Sequence, residues 1–448
     1  MSPKDPQGYS LTGASEKSAE LYAQALSELQ CYIDDPVATI DAALAESPKF
    51  VMGHCFRAFL HILATERAAM PEAEASFNAV TSLPATDRET GHIAAIQKFL
   101  AGDMHGGIEA LESILLDYPR DVVALQTAHL FDFFVGDARS LRDRIARRLP
   151  QWSASIPNYH ALLGMYAFGL EEMGDYRRAE DYGHQAIELN TRDAWAQHAV
   201  AHVYEMQGRQ QQGIDWMESR QSHWATDNFM SVHNWWHLAM YYLDLGQIER
   251  VMDLYDNRIR NDRSEVALDM VDASSMLWRL HLRGIDVGER WSEIAGAWDP
   301  VASDAFYAFN DFHAMMAFVG SGNNEAARRV LASQEERIGQ GGSNDAMTAQ
   351  IGHPLCKALH AFNHGDYGRT IELIRSVRTI ANRFGGSHAQ RDVIDLTLIE
   401  SAFRDGQLGL AQALSNERMA LKPTSPLNAQ FRRRLQEDKP LQAQANVA

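Results

Sequence analysis

The sequence predicts an all-α solenoid, a right-handed superhelix of short helix–turn–helix units. Three observations lead there. Apolar residues recur at helical spacing, and no segment alternates with period two for long enough to compete. Glycines in similar short turns return at near-constant intervals along the 448 residues, the mark of a repeat array. The chain is 46% hydrophobic and 22% charged, the composition of a folded protein, and it is longer than the roughly 100–200 residues of one ordinary domain.

Taken in order, residues 1–87 read as N-terminal helical units of weak repeat character, with "DDPVATIDAALAESPKF" as one of them. Residues 88–258 are central units, the clearest being "MYAFGLEEMGDYRRAEDYGHQAIELN" (165–190). Here an apolar-periodic helix meets a turn at Gly174, Asp175 and Tyr176. A second helix follows, in which Ala179 and Ala186 let the pair approach closely. Turn glycines recur at Gly102, Gly136, Gly174, Gly208, Gly246, Gly322, Gly365 and Gly406. Gly102 to Gly136 and Gly174 to Gly208 are 34 residues each, the tetratricopeptide period, and the two neighbouring intervals are 38. Residues 259–304 read as a divergent helical insertion, 305–435 as C-terminal units, and 436–448 as a disordered tail. Prolines in "LLDYPRD" and "ALKPTSP" stand where units should end. In "RFGGSHAQRD" the glycines make a corner, and Ser387 is placed to cap the helix after it.

A net charge of −18 leaves no surplus of cations for phosphates, so nucleic acid and anionic membranes are excluded as expected partners. The one dense basic run, "FRRRL" (431–435), reads as a solvated helix face. No apolar stretch is long enough to span a bilayer and no leader pattern opens the chain, so a cytoplasmic location is expected. Cys31, Cys55 and Cys356 lack the spacing of a disulfide or zinc framework and read as buried small hydrophobes. His353 near Cys356 suggests packing more than a nucleophile with its base.

Several segments, in order, resemble the tetratricopeptide repeat protein 38 family: "IPNYHALLGMYAFGLEEMGDYRRAE", "TRDAWAQHAVAHVYEMQGR", "HNWWHLAMYYLDLGQIERVMDLYD", "LDMVDASSMLWRL", "GHPLCKAL", "GGSHAQRDV" and "ALKPTSPL". They run from about residue 90 to 427. The resemblance implies a superhelix of helix pairs and supplies no reaction and no catalytic residue.

Candidate site residues therefore come from register. With the turn glycine as position fifteen, the first helix of a tetratricopeptide unit faces the concave groove at positions two, five, nine, twelve and thirteen. Counted from Gly208, this selects His198, His202 and Glu205; counted from Gly246, it selects His233, Trp236, Met240 and Asp244. His237 is expected to point away from His233, toward a neighbouring helix or solvent. The expected pocket holds His198, His202, Glu205 and His233, walled by Trp236, Phe168 and Tyr204. Asp269, Asp272, His388, Gln390, Arg391 and Asp392 join it if the superhelix curls enough. Of these, Trp236, Tyr204, Asp272, His388, Arg391 and Asp392 are the expected substrate contacts.

Three readings follow. A divalent transition metal is one, with His198, His202, Glu205 and His233 as ligands. Metal-free acid–base or hydrolytic chemistry by the same four residues on a small polar molecule is another. The third is a polar groove that receives a peptide segment, as an interaction scaffold does. No cofactor is required by the sequence, and oligomerisation stays open.

Overall fold

The computed structural model describes residues 3–445, with side chains as far as residue 437. The chain is an all-α, tetratricopeptide-like array. Among the described residues the only extended pairings are two isolated bridges, Lys4 to Ser10 and Ile33 to Asn228. Each first helix packs on its own second helix and on the first helix of the next unit. Thus Tyr159–Glu172 meets both Tyr176–Leu189 and Ala194–Met206.

The turns form for the reason their glycines suggest. All eight have φ between 67° and 78°, the left-handed cap that ends a helix and that a Cβ would oppose. Aspartates start many of the helices by accepting a backbone N–H in the first turn. Asp121 takes that of Ala124, Asp193 that of Ala196, and Asp137 that of Ser140.

Residues 259–304 stand in line with the other units. Ala267–Leu282 packs between Ser231–Asp244 and Ala308–Ser321, and Arg290–Trp298 serves as its second helix. The turn is Gly284, with φ 73°, 38 residues after Gly246 and 38 before Gly322. The backbone of the last helix runs Pro426–Ala445. Residues 446–448 lie outside the described residues.

The C-terminal units return across the open ends of the central ones. Tyr307 Oη donates to Phe134 O (3.0 Å), Ser343 N to Gly102 O (2.8 Å), Trp278 Nε1 to Thr397 Oγ1 (2.9 Å) and Ser425 Oγ to Asp244 Oδ1 (2.6 Å). The inner face of the superhelix is thereby filled, and its polar side chains lie in the interior. No helix among the described residues is long and apolar enough to cross a membrane.

Candidate metal centre

Two adjacent first helices supply the inner site. On Ala194–Met206, His198 and His202 are one turn apart; on Ser231–Asp244, so are His233 and His237. Spacing of four places each pair on one helix face, and the packing of the two helices turns these faces together. The rings of His202 and His237 are 4.4 Å apart, those of His198 and His202 4.4 Å, and those of His198 and His233 4.9 Å. One nitrogen of each of the four falls within 4.8 Å of the other three. All four residues are at most 4% exposed.

His237 therefore does not point away from His233. Their rings are 4.8 Å apart, because residue i+4 shares the face of residue i. It does point to a neighbouring helix, and what it meets there is the other histidine pair. Glu205 was expected among the ligands but serves His237 instead: its Oε2 accepts from His237 Nδ1 at 3.0 Å, and Lys422 Nζ lies 3.7 Å from Oε1.

Each carboxylate fixes a proton. A carboxylate oxygen only accepts, so His233 Nδ1–H donates to Asp272 (2.8 Å) and His237 Nδ1–H to Glu205. This leaves both Nε2 atoms bare. His198 Nε2–H must then donate to His233 Nε2 (3.1 Å), and His198 Nδ1 has no partner. His237 Nε2 and both nitrogens of His202 are likewise without a hydrogen-bond partner; Glu171 Oε2 lies 3.5 Å from His202 Nδ1. Nitrogens of four buried imidazoles thus converge, and those of His202 and His237 Nε2 have no other partner.

Burial, and then the neighbouring imidazoles, hold His198 and His202 well below the usual histidine range, and burial with His233 does the same for His237. Neutral imidazole is the form that binds metals. Burial raises Glu171 well above the usual carboxylate range, and Glu172 and Glu205 add to it. Burial also raises Asp272 and Glu205, against the pull of His233 and Lys422 respectively. Glu171, Glu172 and His202 form a second close group within 4.8 Å.

Phe168 and Trp236 are the walls. Phe168 is 5.2 Å from His198, and Trp236 stacks on His233 at 5.5 Å while donating to Ser275 Oγ (3.0 Å). Tyr204 is not a wall: it faces the other way, against Trp216 (5.6 Å) and under the Arg209 guanidinium (4.5 Å). It is two residues from His202, too far round the helix to share its face.

His388, Arg391 and Asp392 lie one layer out. His388 N donates to Glu172 Oε1 (3.0 Å), and Arg391 Nη2 is 3.5 Å from Glu172 Oε2. Asp392 is paired with Arg418 (2.6 Å); although burial works against it, Arg418 holds its carboxyl down to about 2. These three line a cavity of about 390 Å³ with Arg378, Arg418 and Lys422. Asp269 sits beyond Asp272 and is raised to about 6 by burial. Gln390 completes a capping box with Ser387. Cys356 and His353 both bond Gln334 (3.4 and 3.1 Å), and burial pushes the thiol up, which suits packing and not nucleophilic attack.

No family model matches the sequence. Among solved structures the chain is similar to yeast Tom70, at 11% identity over 98% of this chain and 90% of that one, with a TM-score of 0.34. It is also similar to the TPR domain of P58(IPK), at 12% identity over 88% of this chain and 98% of that one, with a TM-score of 0.19. Likenesses this weak carry no argument about the site.

Proposed function

We propose that the chain is a protein-interaction scaffold of the helical-repeat kind, with two of its central units locked together by one divalent transition-metal ion on His198, His202, His233 and His237. The convergence of four buried imidazoles, one nitrogen of each within 4.8 Å of the others, supports the ion. Imidazole suits zinc, copper, iron and nickel. Four protein ligands and no solvent access are the features of a structural centre; a catalytic one keeps a position open. Asp272 and Glu205 would play the usual outer role, orienting the ligand rings and raising their basicity. Metal analysis of the purified chain tests this, with a loss of thermal stability on chelation as the second readout.

The scaffold part rests on the architecture, since stacked helix pairs present extended surfaces to other chains. A peptide segment would take the cavity bounded by Arg378, His388, Arg391 and Lys422, whose rim carries Leu421, 77% exposed. Binding to a peptide array, weakened in Leu421→Glu, would support this reading; equal binding by the variant would count against it.

A second reading keeps the small polar molecule. The same cavity is within the usual size of a ligand site, roughly 300–1,000 Å³, and it reaches the histidines through Lys422 on Glu205 and Arg391 on Glu172. Under this reading acid–base or hydrolytic turnover is abolished in His202→Ala while folding is retained. Finally, the ordered segments support placing the chain as a divergent member of the tetratricopeptide repeat protein 38 family; a profile built from that family's members should align to it across residues 90–427.

A further inference from the structure

A second cavity, of about 500 Å³, opens between Ala267–Leu282, His388–Arg404 and the last helix, and none of the four histidines lines it. Its charge is unusual for a chain of net −18. Arg279, Arg283, Arg404 and Arg434 line it against a single carboxylate, Glu400.

Arg404 and Arg434 share that carboxylate, at 2.7 and 2.6 Å. Arg279 and Arg283 donate only to carbonyls, and the Arg279 guanidinium also lies over the Trp236 ring (5.2 Å). Arg279 is 1% exposed and donates to Ser275 O (3.2 Å) and Ala389 O (2.7 Å), with its Nε unpartnered. Arg283 donates to Leu243 O (2.6 Å). Among the described residues no carboxylate comes within ion-pair distance of either; Asp392, Glu205 and Asp272 act on Arg279, and Asp244 and Asp392 on Arg283, only from further away. Burial pulls both guanidiniums down to about 10, the mark of a cation short of counter-charge. Apart from Gln430 the rest of the lining is apolar, with Leu282, Leu396, Leu427 and Phe431 among its side chains. Phe431 and Arg434 belong to the "FRRRL" run, of which only Arg432 and Arg433 form the solvated face expected of it.

We propose that this cavity binds an amphipathic organic anion, with its oxyanion head on Arg279 and Arg283 and its apolar body against Leu282, Leu396, Leu427 and Phe431. A guanidinium offers the fork that carboxylate and phosphate accept, and a filled cavity would give the unpaired cations their counter-charge.

Isothermal titration of the full chain with octanoate, octyl phosphate and 1-octanol tests this. The expected result is one site for at least one anion, with the neutral alcohol at least about tenfold weaker. The anion that binds more tightly identifies the head group. Arg283→Gln should weaken anion binding by about tenfold or more, and Leu396→Trp should block it, with unchanged circular dichroism in both. The proposal is overturned if neither anion binds, if octanol binds as well as the anions, or if folded Arg283→Gln binds like the parent.

Discussion

Two turn glycines of the same array separate the cost of a left-handed residue from the cost of opening the superhelix. Gly136 and Gly174 have φ of 67° and 78°, so alanine at either pays the left-handed penalty of about 1–2 kcal/mol. At Gly174 nothing lies within 4 Å of the added Cβ, and the cost ends there. At Gly136 the Cβ would stand 1.7 Å from Asn382 O, on the returning C-terminal unit. The contact must open, adding about 1–3 kcal/mol of overpacking. The hydrogen bond from Asn382 Nδ2 to Gly136 O (3.1 Å) goes with it, worth about 1 kcal/mol. Gly136→Ala should therefore cost about 3–6 kcal/mol and Gly174→Ala about 1–2 kcal/mol. Urea unfolding followed by circular dichroism, compared at a common slope, measures both. Equal costs would refute the closure of the superhelix at this point, and with it the reason the histidines are buried.

Three further outcomes are expected. Glu205→Gln removes the anion that orients His237, so metal affinity measured by competition with a chelator should fall about 10–100-fold; an unchanged affinity would remove Glu205 from that role. Asp121 accepts from Arg88, His92 and the N–H of Ala124, all buried. Asp121→Ala leaves Arg88 with Asp5 as its remaining carboxylate (3.0 Å) and takes away the partner of His92 and the cap of Ala124 N–H, so it should cost about 2–5 kcal/mol in urea unfolding, and a cost under about 1 kcal/mol would contradict the burial of that network. His313 is fully buried, donates from Nδ1 to Phe309 O (2.8 Å) and has a bare Nε2; burial holds it down at about 3. Its unfolded form titrates near 6.5, so unfolding takes up a proton between these values. The stability it protects is complete above about pH 6.5 and declines as the pH falls toward 3, by about 1.4 kcal/mol per pH unit. His313→Leu should flatten the pH dependence of stability between pH 6 and 4 by that amount, and an unchanged slope would show that His313 is protonated in the fold.

The fold was legible because its signals are local. A glycine that ends a helix in the left-handed conformation announces itself at fixed intervals, and eight such positions define the array. Gly284 carries the same signal, in "HLRGIDVGER", but the segment after it, with Trp291 and Trp298, is unlike the other second helices. Within the site, His198, His202 and His233 follow from register, whereas His237 does not. Consensus groove positions describe a helix with one orientation, and Ser231–Asp244 is turned so that position six faces its neighbour. A simpler signal was present: "HAVAH" and "HNWWH" both place histidines four apart, on consecutive first helices. Glu205 sat correctly on the inner face, but whether it binds a metal or orients a histidine depends on a distance that spacing does not contain. Tyr204 is next to the site in sequence but not in space, since two residues from His202 put it on another side of the helix. The two-guanidinium cavity was illegible, because it needs residues from 279 to 434 brought together by the closure.

The most direct test is the metal content of the purified chain, by plasma mass spectrometry after zinc loading and gel filtration. The account predicts about one tightly held ion per chain, lost in folded His202→Ala and His237→Ala; no retained ion, or the same content in both variants, would contradict it.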